Sequence, residues 1–173
     1  MPRSNRYPEW CILTGCSVFI LALALSAWWE RDIRWLHFFQ AWMYLATMVL
    51  SMRRNRWGYF IGIGVAGFWD YTNLFVTTFF INGLQQLSQW LGTGHMSRAD
   101  LIIAVPAWLS NLLVAIGCLW AYARMPGKSL RDAGRLVAAV ALTAGFFALD
   151  MVLFQPRYLP LFRAALHPHW PRW

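Results

Sequence analysis

Apolar positions along the chain gather into five runs, at 10–29, 35–52, 57–81, 101–123 and 136–154, and all charges except Asp70 and Asp150 fall outside them. Each run is close to the roughly 20 residues that carry a helix across a hydrocarbon core. The pattern predicts an all-α fold: a polytopic helical membrane bundle of about five transmembrane helices. Glu30-Arg31-Asp32-Ile33-Arg34 joins the first two runs and is short enough to force an antiparallel hairpin.

Polar exceptions inside the runs are periodic. His37, Gln40, Tyr44, Thr47 and Ser51 recur at steps of three and four, which places them on one face of the second helix, turned away from lipid. In the third run Gly58, Gly62 and Ala66 form a small-residue stripe suited to close helix packing, and the same stripe leads on to Asp70, Asn73 and Thr77. Asp70-Tyr71-Thr72-Asn73 interrupts this run with middling helix formers but contains no proline or glycine, so one continuous helix over 57–81 is the expectation. Leu84, Leu87 and Leu91 then predict a short amphipathic segment on the outer membrane surface, ended by Gly92-Thr93-Gly94. In the fourth run Pro106 is expected to kink the helix just before Ser110 and Asn111.

Composition agrees with this picture. Of 173 residues 59% are hydrophobic and 13% charged, too little polar surface to cover a water-soluble globule. The net charge of +8 does not mark a nucleic-acid partner, because the basic residues punctuate the ends of the runs and form no single basic face. Arg3, Arg6, Arg53, Arg54, Arg56, Arg124, Lys128, Arg131 and Arg135 outnumber those on the other side, which predicts a cytoplasmic N-terminus. Many of the 12 tryptophans lie near run ends, as in an interfacial aromatic belt. A bacterial inner membrane is the expected location and the lipid bilayer the expected partner, with a homo-oligomer or a larger complex left open. Ala24-Leu25-Ser26 resembles a signal cleavage site, but the run before it exceeds a usual signal core of about 7–15 residues. Residues 1–155 read as one transmembrane domain and 156–173 as a basic, proline- and aromatic-rich interfacial tail without a packed fold.

Candidate chemistry centres on Asp70, since a carboxylate near mid-membrane is costly and usually functional. At about 1.5 Å per residue, Asp70, Tyr44, Ser110 and Asn111 lie about 15–18 Å below the outer surface, with His37, Gln40, Thr77 and Asp150 shallower. These depths predict an outward-open polar cleft with Asp70 at its floor, lined by His37, Gln40, Tyr44, Asn73, Thr77 and Asn111. Transport or binding of a small solute or a proton follows as the leading expectation. An enzyme using Asp70, Asp150 and His37 for acid–base chemistry on an isoprenoid-like substrate is the alternative, and an accessory subunit of a larger complex is a third. No metal or other cofactor is expected: Cys11, Cys16, Cys118 and the four histidines have no ligand spacing, and there is no GxSxG elbow or phosphate loop.

One stretch, 43–65, with Ser51-Met52-Arg53-Arg54 before Asn55-Arg56-Trp57, resembles the basic turn and tryptophan-led helix of nicotinamide riboside transporters. The likeness covers one span and one turn, the chain has fewer spans than that family, and no function is taken from it.

Overall fold

The computed structural model describes residues 6–165, which among themselves are all-helical: α1 (Tyr7–Trp29), α2 (Arg34–Met52), α3 (Arg56–Tyr71), α4 (Phe79–Thr93), α5 (Ala104–Ala123), α6 (Leu130–Phe154) and α7 (Leu159–Ala165). Three of these helical stretches, Tyr7–Trp29, Ala99–Ala123 and Leu130–Phe154, are long and apolar enough to cross a membrane. α2 carries the polar stripe and α3 is 16 residues long, so neither meets both conditions alone. The outer faces are apolar: on α6, Val137, Leu142, Leu149 and Leu153 are all exposed, a surface that suits hydrocarbon and not water.

α3 is the hub, packed against α2, α5 and α6, while α1 lies along α5 and α2. The small-residue stripe makes this possible. A Cβ on Gly62 would stand 2.8 Å from Thr47 Cγ2, and one on Gly58 would stand 2.6 Å from Ser51 N. A second pair of glycines performs the same service between α1 and α5: Gly15 faces Ser110 O, and Gly117 faces Ile12 and Pro8 O.

The expectation of one helix over 57–81 is corrected. α3 ends at Tyr71, a π-helical turn covers Thr72–Val76, Thr78 takes a left-handed φ of 54°, and α4 starts afresh at Phe79. Local side chains compete for the backbone there. Thr72 Oγ1 donates to Phe68 O at 2.8 Å, Asn73 Nδ2 to Trp69 O at 2.9 Å, and Thr77 Oγ1 to Thr72 O at 3.2 Å. Pro106 likewise does less than expected. It sits in the first turn of α5, after a 3₁₀ turn at Ala99–Ile103, where a missing N–H is tolerated.

The segment expected to be an unpacked tail is also different as far as Ala165. Pro156–Tyr158 forms a 3₁₀ turn and α7 follows, with Phe162 stacked on Phe68 at 5.7 Å. His167, His169, Trp170 and Trp173 lie outside the described residues. At the start of α6, Asp132 is 2% exposed and receives Arg56 Nη1 at 2.8 Å and Arg135 Nη1 at 2.8 Å. Arg56 also reaches Pro126 O and Gly127 O, so one guanidinium ties α3, the 124–129 connection and α6 together.

Candidate functional site

A cavity of about 140 Å³ opens at the other end of the bundle. Every long helix contributes to it: α1 through Phe19 and Leu23, α2 through His37 and Gln40, α3 and its π turn through Trp69, Thr72 and Asn73, α5 through Ala104 and Ala107, α6 through Phe147 and Met151. Phe162 of α7 closes one side, and Trp29, Glu30, Arg98 and Asp100 stand among the lining residues from the α1–α2 and α4–α5 connections.

His37, Gln40, Asn73 and Thr77, expected from their depths to share a cleft, do line this one cavity. His37 Nδ1 lies 3.1 Å from Leu23 O; because a carbonyl only accepts, Nδ1 carries a proton, and in the neutral ring Nε2 is the acceptor. Gln40 is 2% exposed, and its Oε1 has no hydrogen-bond partner.

The other expected residues are placed differently. Asp70 does not line the cavity. Tyr44 donates to Asn111 Oδ1 at 2.7 Å, and the Asp70 carboxylate lies beside that amide and interacts with it, although Asn111 Nδ2 and Asp70 Oδ1 complete no well-formed hydrogen bond. Phe19 joins the two regions: it lines the cavity and also stacks on Tyr44 at 4.3 Å. The expected single cleft is thus an aromatic-walled cavity with a separate Tyr44–Asn111–Asp70 group behind Phe19. Ser110 donates its hydroxyl to Ala107 O and does not meet His37.

Asp150 is 3% exposed, and neither carboxylate oxygen has a partner. It follows Phe147 by three residues and precedes Met151, both cavity-lining, on the α6 face where Phe154 stacks against Phe39 of α2. Asp150 itself does not line the cavity.

Charged lining residues were missed by sequence reasoning. Arg98 binds Asp100 through Nε at 2.9 Å and Nη2 at 2.6 Å, and Arg157 binds Glu30 at 2.9 Å. Their one sequence signal is a charged pair, Arg98-Ala99-Asp100, directly before an apolar run. Among the described residues no three His, Cys, Asp or Glu side chains come together as a metal-holding group. No protein-family model, curated protein or solved structure matches the chain.

Proposed function

We propose that this is an integral membrane protein of the bacterial inner membrane that binds or carries a small solute in the cavity between its helices. Five crossings are assigned to α1, α2, α3 with its π turn, α5 and α6. The stretch Arg56–Val76 is 21 helical residues across its two parts, about 30 Å, enough for one crossing. The arginine excess at the Arg53–Arg56 and Arg124–Arg135 end supports a cytoplasmic N-terminus and an outward cavity mouth, with α4 on the outer surface. Residues 1–155 carry the membrane domain; self-association and assembly into a larger complex are compatible with its apolar exterior.

The observation that carries the reading is convergence: polar side chains from α2 and the α3 break, four of them buried, meet in one aromatic-walled cavity that Glu30, Arg98 and Asp100 also line. Acid–base catalysis asks His37, Asp70 and Asp150 to meet on one substrate, and His37 alone of the three lines the cavity. Solute binding makes no such demand.

Native mass spectrometry tests it. Wild-type protein purified in mild detergent is expected to carry a small-molecule adduct. Ala107→Phe, which fills the cavity from α5, is expected to lose the adduct and keep its folded yield. Absence of any adduct on the wild type, or an equal adduct on the variant, would contradict the proposal.

A further inference from the structure

Four polar groups of the cavity wall have a donor engaged elsewhere. His37 gives Nδ1–H to Leu23 O, Asn73 its amide N–H to Trp69 O, and Thr72 and Thr77 their hydroxyls to Phe68 O and Thr72 O. What they retain is acceptor capacity: His37 Nε2, the Asn73 carbonyl and the hydroxyl lone pairs. The charged lining residues are already paired, Asp100 bidentately with Arg98 and Glu30 with Arg157. Behind the wall, Asp150 is a buried carboxylate with no counter-group on either oxygen.

The apolar part of the wall is aromatic and faceted. Phe19 and Trp69 meet at 5.8 Å and 55°, and Trp69 and Phe147 at 6.1 Å and 78°, so the three ring planes form a corner, while Phe19 also stacks on Tyr44 and Phe147 on Phe68. Ring faces carry negative quadrupole potential and attract cations, most strongly when water is excluded. One group would serve an uncharged acceptor ligand instead, the unpartnered Trp69 Nε1, and it defines the competing outcome below, whereas the unpartnered Gln40 Oε1 is a further acceptor.

We propose that the cavity selects a small organic cation, an alkylammonium group, held in the Phe19–Trp69–Phe147 corner by ring faces and the acceptor-rich wall, with Asp150 supplying the opposing charge. This rests on the reading of the cavity as a binding site. The ammonium group can belong to a free solute or to a lipid headgroup, since the chemistry recognised is the same.

The test uses the full chain in nanodiscs of phosphatidylglycerol, which has no ammonium group, titrated calorimetrically with choline, with its uncharged carbon isostere, and with an isosteric carboxylate. Choline is expected to bind about tenfold or more tighter than the carbon isostere, with the carboxylate weakest. Asp150→Asn is expected to bring choline close to the isostere while leaving the isostere unchanged, a loss of selectivity that mere loosening of the fold would not produce. If the isostere or the carboxylate binds as tightly as choline, cation selection is overturned and the cavity remains a binding site. If none of the three binds, the cation proposal and the binding-site reading fall together. Doping the discs with phosphatidylcholine separates the sources: loss of free choline binding assigns the headgroup, and unchanged binding assigns a free solute.

Discussion

Gly15→Leu is expected to lose most of its folded protein, because no side chain fits where α1 meets α5. A Cβ at position 15 would stand 2.7 Å from Ser110 O, 2.7 Å from Val114 Cγ2 and 3.1 Å from Val114 N. Two of those atoms are backbone and cannot rotate aside, so α1 would have to move off α5. Overpacking typically costs about 1–3 kcal/mol, and this site falls at the upper end because backbone atoms block the side chain. The damage should reach the site, since Ser110 is followed by Asn111, whose amide receives Tyr44, and α1 supplies Phe19 to both the cavity and Tyr44. Gly145→Leu is the matched control: nothing lies within 4 Å of a Cβ there, on an exposed stretch of α6. Thermal melting of both variants in the same detergent should show a large drop for the first and little change for the second. Equal losses would refute the close-packed α1–α5 contact.

Asp150→Leu is expected to do the opposite to stability. A buried polar group without a partner costs about 1–3 kcal/mol, and both Asp150 oxygens are in that position whichever protonation state they hold. A leucine of comparable size replaces that cost with apolar contact to neighbours such as Phe147 and Phe154. Melting should rise by an amount corresponding to about 1–3 kcal/mol, while cation binding is lost. A residue retained at a cost to stability is easiest to understand as one kept for function. If Asp150→Leu unfolds the protein instead, the carboxylate is a structural member of the α6 interface and its functional assignment fails.

Much of this was legible in the order of residues, and the failures have identifiable causes. α1, α2, α5 and α6 were legible because each is a long apolar run bounded by charge; α2 was expected over 35–52 and forms Arg34–Met52. The break after Tyr71 was visible as Asp70-Tyr71-Thr72-Asn73, but its strength depends on three side chains each finding a backbone carbonyl, which composition does not reveal. Depth could be counted from the helical rise, so Asp70, Tyr44 and Asn111 were expected at one level, and they adjoin. Azimuth could not be counted. Asp70 and Asn73 are three residues apart and differ by about 60° around an ideal helix, enough to turn Asn73 into the cavity while Asp70 faces Asn111. Glu30, Arg98 and Asp100 come from connections far apart in the chain and meet only once α1 and α5 have docked.

The proposed cavity is reached by water, lies within a membrane bundle and opens at one end. Thiol accessibility tests it most directly. In a background with Cys11, Cys16 and Cys118 replaced by alanine, Asn73→Cys should react with a membrane-impermeant maleimide added to the outer face of oriented vesicles and resist the same reagent from the cytoplasmic face. Leu149→Cys, on the lipid side of α6, should resist it from both. Reaction of Asn73→Cys from the cytoplasmic face, or from neither face in folded protein, would contradict the one-ended cavity.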